Sequence, residues 1–308
     1  MIINTGMRTD IPAFYSRWFL NRIREGYVMV RNPYYPDTVT RYSLDPDVVD
    51  LIEFCTKDPR PMLPHMDELS SFNQFWFVTI NAYGTDVERN VPDTDTVIEA
   101  FRDLSKMVGK DRMSWRYDPV LVSPEYDIDF HIDSFEHIAS KLSGYTDHCV
   151  FSFLDLYEKV MRNFPEALPP SMDERRLLAK SFGENGKRHD IIVHSCCEGK
   201  DLDIYGIDTG GCITKEMLEH SLGRKLDIPK KKGPREACEC VLGNDIGAYN
   251  TCGHLCRYCY ANSDEQKVRE NMSSHDPDSP LLLGIITDKD TVVEAKQRSY
   301  ISGQRTLI

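Results

Sequence analysis

Short apolar segments rich in β-branched and aromatic residues recur along the chain, and stretches with helical spacing separate most of them. The strand-like runs are MIINTG (1–6), YVMVRN (27–32), VDLIEFCT (49–56), FWFVTIN (75–81), SWRYDPVLV (114–122), HCVFSFLD (148–155) and DIIVHSCC (190–197). An eighth is compatible with NDIGAYNT (244–251). Helical patterns fall at 11–26, closing on Gly26, and at 93–110, which opens on acid and cap residues and ends in Gly-Lys. Others fall at 133–144, 172–186 and 264–272. Regular alternation of this kind predicts an α/β chain of parallel βα units, a (β/α) TIM-like barrel, full or partial. The expected division is βα units over 1–195, a cysteine-rich excursion over 196–245, and a final βα unit with a tail over 246–308.

Several strand-like runs pass directly into polar residues: Arg8-Thr9-Asp10, Arg31-Asn32-Pro33, Thr56-Lys57-Asp58, Asn81 to Gly84, Arg116 to Pro119, and Asp155. In a βα barrel these ends share one face, where active sites lie. Helix capping and turns account for Asp10, Asp58 and Gly84. They do not account for Arg8, Arg31, Lys57 and Arg116, so a ring of cations suited to an anionic ligand is expected, with Tyr83, Arg116, Tyr117 and Asp155 as candidates to face it.

Ten cysteines change the picture more than the overall composition does. Cys55 and Cys149 lie in apolar runs and read as core; the other eight fall between 196 and 259. Clustered thiols in a reducing compartment indicate metal. Cys252, Cys256 and Cys259 sit in YNTCGHLCRYCYAN, three thiols from one loop. Such a set suits three corners of a [4Fe-4S] cube with one iron left open. Zinc, with His254 as a fourth ligand, is the competing reading.

The CxxxCxxC spacing with Tyr258 before the last cysteine resembles the signature of radical S-adenosylmethionine enzymes, and the wider loop resembles that of the spore photoproduct lyase-like branch. The stretches 8–33, 238–262 and 276–300 resemble the bacterial domain-of-unknown-function 1848 family. What the resemblance implies is a [4Fe-4S] cluster on Cys252, Cys256 and Cys259, with S-adenosylmethionine on its open iron. One-electron reduction would then give methionine and a 5′-deoxyadenosyl radical. It also implies that Tyr258 packs on the cluster side of the adenine, and that an electron donor such as flavodoxin or ferredoxin is needed. In that superfamily the triplet follows the first strand; here it follows the last. A circularly permuted barrel, with the cluster-bearing strand last in the chain but beside the first in space, reconciles the two. The family's GGE-like stretch, which holds the methionine amino group, is missing here. By cyclic order its place falls to Asn4, Thr5, Arg8 and Asp10, with Arg8 as the carboxylate fork.

Cys196, Cys197, Cys212, Cys238 and Cys240 could ligate a second centre, either another iron–sulfur cluster or a structural zinc. Cys196 and Cys197 compete for one position, because adjacent side chains point to opposite faces. The formal net charge of −12 argues against nucleic acid as a partner, and the basic run PKKKGPR (229–235) reads as a solvated loop. No apolar run reaches membrane length, and MIINTGMRTD lacks a signal-peptide pattern, so a cytoplasmic protein without a membrane partner is expected. The alternative to an enzyme is a non-enzymatic zinc- or iron–sulfur-binding βα-barrel protein. The substrate is not legible in the sequence.

Overall fold

Seven strands form one parallel sheet in the computed structural model, which describes residues 1–229, 238, 240–241 and 243–302. Residues 230–235 of the basic run lie outside the described residues. The strands are β1 (Ile2–Asn4), β4 (Leu51–Thr56), β5 (Gln74–Thr79), β6 (Met113–Val120), β7 (His148–Phe153), β8 (Ile192–Ser195) and β9 (Asn244–Asp245), in the spatial order β8-β7-β6-β5-β4-β1-β9. From β1 to β8, space follows sequence. The exception is β9, last of these seven strands in sequence yet paired with β1.

The parallel α/β expectation holds, but the sheet does not close into a full barrel: β8 and β9 are its two open edges. The run 27–32 also departs from expectation. β2 (Tyr27–Arg31) pairs antiparallel with β3 (Thr38–Ser43), and β10 (Thr291–Glu294) joins β3 in a separate three-stranded sheet. The reason is length: a parallel crossover needs a dozen or more residues, and Arg31 is separated from Thr38 by the turn-rich stretch NPYYPD alone.

Successive residues of each strand point to opposite faces, and the two faces differ. On the outer face, Ile52 and Phe54, Trp76 and Val78, Trp115 and Tyr117, and Phe151 and Phe153 meet the helices in the main core. Those helices are α1 (Ile11–Phe14), α2 (Ser16–Glu25), α3 (Thr94–Val108), α4 (Ile128–Leu142) and α6 (Met172–Arg188), while α5 (Glu158–Asn163) packs elsewhere. Phe54 stacks on Trp76 and Phe135 on Phe182, each pair at 4.0 Å between ring centroids. Asp10, Asp93, Asp127 and Ser171 cap the N-termini of α1, α3, α4 and α6, each contributing about 1 kcal/mol.

On the inner face the N-terminal halves of the strands are apolar: Ile2, Leu51, Phe75, Phe77 and Val150. They pack against Ile213, Leu226 and α7 (Lys215–Leu222), the one α-helix among the described residues of the excursion that starts after Cys196. That excursion leaves one edge strand, β8, crosses this face and returns to the other edge, β9. Toward the C-terminal ends the inner face turns polar. Asn4, Glu53, Cys55, Thr79, Arg116, Asp118 and Ser152 occupy the same alternating positions. No described helix is long and apolar enough to cross a membrane.

Candidate metal centres

The triplet loop follows β9 at the C-terminal end of the sheet and is closed on itself by its own chain. Asn250 adopts a left-handed φ of +57°, which its short polar side chain tolerates. Its Oδ1 accepts the Ser263 amide and hydroxyl at 2.6 and 2.8 Å. Its carbonyl accepts Asn271 Nδ2 at 2.9 Å from α8 (Glu265–Ser273). Cys259 N donates to Cys256 O at 3.1 Å, and Asn262 Nδ2 to Cys252 O at 2.8 Å. From outside, Asn90 N reaches His254 O and Arg257 N reaches Val87 O, at 3.1 and 3.0 Å. Gly253 is required by packing, since a Cβ there would stand 2.7 Å from Phe14 Cε1.

Burial, then Asp10 and the two sister thiols, push the Cys252 thiol well above its ordinary value. Burial pushes Cys256 up as well, against the pull of Lys57. Burial favours the neutral thiols here, so ligation would need a cationic centre that offsets the cost of deprotonating them, which a metal core supplies.

Two polar networks hold the loop. Asp10 accepts Ala13 N through Oδ1 at 3.0 Å, and through Oδ2 it accepts Lys57 N at 2.8 Å and His254 Nε2 at 2.9 Å. His254 Nδ1 faces Asn90 O at 3.4 Å. Both ring nitrogens therefore face protein partners, and His254 orients the loop instead of completing a zinc site. In the second network, Glu88 Oε1 accepts Lys57 Nζ at 2.8 Å, Asn81 Nδ2 at 2.9 Å and the Tyr258 hydroxyl. The Tyr258 ring lies 5.6 Å from Lys57 Nζ.

Of the residues assigned to the methionine end, Asp10 stands at the triplet loop, and Tyr258, assigned to the adenine, lies within that loop. Asn4 is buried and accepts Gly6 N at 2.9 Å, while Thr5 Oγ1 donates to Glu53 O at 3.3 Å. Arg8 bonds the Asp245 carboxylate through Nε and the Asp245 carbonyl through Nη2 at 3.1 Å. The expected ring of free cations is absent from the four positions named for it. Arg8 pairs with Asp245, Arg31 with Asp290 in the second sheet, Lys57 with Glu88 and Arg116 with Asp118. Two further candidates are core instead. Tyr117 is 1% exposed and bonds His131 Nδ1 at 2.8 Å; Tyr83 donates to Pro119 O at 2.8 Å. Asp155 is exposed.

Residues the sequence reading passed over lie on the inner face. Glu53 is 7% exposed, and its Oε2 has no hydrogen-bond partner. Burial raises its pKa to about 7, with Asn4 and Arg116 pulling the other way. Arg116 donates through Nη1 to Cys55 Sγ at 3.2 Å, and its buried Nε is unpartnered. Cys55, expected in the core, thus belongs to this polar face; Cys149 is core as expected, with no exposure. Glu53 and Cys55 stand two apart in LIEFCT, opposite Ile52 and Phe54. That alternation was the available signal.

The second thiol group gathers Cys196, at the end of β8, with Cys212 and Cys240. Their sulfurs all lie within 4.8 Å of one another, and the group could hold a metal ion or an iron–sulfur cluster. Cys212 Sγ lies 3.1 Å from Cys240 Sγ, which also accepts Cys212 N at 3.3 Å. Hydrogen bonds from Cys196 and Cys212 pull Cys240 down to about 2, while bonding to Cys196 and Cys240 pushes Cys212 well above its ordinary value.

No curated protein matches the chain. Among solved structures, "a putative alpha-L-fucosidase" from Bacteroides thetaiotaomicron aligns at 15% identity over 53% of this chain, with a TM-score of 0.28, which carries no argument about fold or function. The chain spans about half of that protein, 48% of its length. A family model described as "Domain of unknown function (DUF1848)" matches residues 2–261, which include every cysteine of both groups, and the chain belongs to that family.

Proposed function

We propose that Cys252, Cys256 and Cys259 hold a [4Fe-4S] cluster, and that the protein is an enzyme of the radical S-adenosylmethionine type acting on a substrate still to be identified. The observation that carries this reading is the strand order. β9, which leads into the triplet loop, lies beside β1, so the loop stands where the loop of a first strand would stand in an unpermuted partial barrel. Three thiols from one loop leave one iron of a cube without a protein ligand. Zinc would need a fourth ligand, and His254 is engaged with Asp10.

The cluster with S-adenosylmethionine would supply one-electron cleavage of the sulfonium, and the protein's part is to bind, orient and exclude water. Asp10 and His254 fix one side of the loop, and Lys57, Glu88 and Tyr258 the other. The polar inner face below is suited to the substrate: Glu53 Oε2 and Arg116 Nε offer an unpartnered acceptor and donor. A purely structural scaffold has no use for such buried, unsatisfied groups, each of which costs about 1–3 kcal/mol. Flavodoxin or ferredoxin in the cytoplasm would donate the electron.

With a strong reductant and S-adenosylmethionine, the anaerobically reconstituted protein is expected to form 5′-deoxyadenosine, and Cys256→Ala to form none. A wild type that carries its cluster, binds S-adenosylmethionine and still yields no 5′-deoxyadenosine would overturn the reading.

A further inference from the structure

The two thiol groups differ in spread, and the difference separates their chemistry. Thiolates on one tetrahedral ion, with metal–sulfur bonds of about 2.3 Å, stand about 3.8 Å apart. Thiolates on separate irons of a cluster lie outside the inorganic core and stand farther apart. Cys196, Cys212 and Cys240 fall within 4.8 Å of one another. Among the described residues, they form the one group of three or more such ligands that meets this limit, so the triplet is spread more widely.

We propose that the second group is a mononuclear site for a zinc-class ion, with Cys196, Cys212 and Cys240 as three of its ligands. Cys238 stands two residues before Cys240, but its sulfur is not one of the three that fall within 4.8 Å of one another. Cys197 is set apart from Cys196 by a left-handed φ of +63°, which turns the chain after β8. The Cys212 amide donating to Cys240 Sγ is the kind of outer contact that orients a ligating thiolate. Gly211, at φ +118°, allows this approach, since a Cβ there would stand 3.2 Å from Cys240 Sγ.

The surroundings suit a site shielded from solvent. Cys196 and Cys240 are buried, and Cys212 packs with them against Ile213, Phe77 and Val150. The ligands come from three separate places: the end of β8, the Gly210-Gly211 turn and the approach to β9. One ion therefore ties the two edges of the open sheet together across its inner face. The crossing segment holds only one α-helix among its described residues, so the ion takes the place of a larger core.

The test is metal analysis of the Cys252→Ala, Cys256→Ala, Cys259→Ala variant, expressed with zinc and purified anaerobically, followed by cobalt substitution. The expected result is about one zinc per chain and no sulfide, with a thiolate-to-cobalt absorption that falls by about a third in Cys240→Ser and holds in Cys197→Ser. Should that triple variant not fold, the wild type gives the same reading as zinc in excess of its iron and sulfide. Iron with matching sulfide at this site, or no metal at all, would overturn the proposal. A loss in Cys197→Ser with none in Cys240→Ser would overturn the ligand set. A wild type with zinc here and no iron anywhere would defeat the cluster reading of the triplet and leave this one standing.

Discussion

Glu88→Ala is expected to lower stability by about 3–5 kcal/mol, because it strands the Lys57 ammonium in a buried pair. Glu88 is 3% exposed, and its Oε1 takes donors from Lys57, Asn81 and Tyr258. Burial by itself would raise its pKa; the Lys57 charge and the hydrogen bonds outweigh burial and hold it below the ordinary carboxylate range. The unfolded chain therefore takes up this proton at higher pH than the folded one. The stabilisation is present above the ordinary carboxylate range and is lost as pH falls through the lowered value. Urea titrations read the loss directly. Replacing Lys57 as well (Lys57→Met with Glu88→Gln) is expected to recover most of it, since no unpaired charge remains. A single variant within 1 kcal/mol of wild type would contradict this account of the network.

Asp10→Ala has an effect of similar size for a different reason. It removes the cap of α1, worth about 1 kcal/mol, and leaves the Lys57 amide and the His254 Nε2–H without an acceptor, at about 1–3 kcal/mol each. The expected total is about 3–7 kcal/mol. Because His254 lies between Cys252 and Cys256, the loop also loosens, and iron should be lost faster to a chelator. Asp10→Asn retains one acceptor oxygen and should fall between. If Asp10→Ala weakens the fold but leaves iron retention unchanged, the carboxylate is a helix cap and nothing more.

The sheet was legible because parallel strands buried on both faces are written as long apolar runs, and β1 and β4 to β8 all coincide with such runs, while β9 is the start of the polar candidate NDIGAYNT. The run at 27–32 was misread because YVMVRN looks the same in a hairpin as in a crossover; the six residues after it decide, and they are too few. The cysteine loop was legible because its ligands are neighbours in sequence. The groups around it were not. Asp10, Lys57 and Glu88 come from the ends of β1 and β4 and from the loop after β5, and nothing local marks them as partners of a loop near residue 256. The four cations failed for the same reason. A sequence shows Arg8 and Arg116 at strand ends but not the carboxylates that neutralise them. Asp245 lies 237 positions from Arg8, and only the pairing of β9 with β1 makes them neighbours.

The central claim is that three thiols on one loop carry an iron–sulfur cube. The measurement that tests it most directly is iron and acid-labile sulfide per chain after anaerobic reconstitution, for the wild type and for the variant lacking Cys252, Cys256 and Cys259. The account predicts about four irons and four sulfides in the wild type and their loss in the variant. A wild type that takes up zinc at the triplet and retains no sulfide would contradict it.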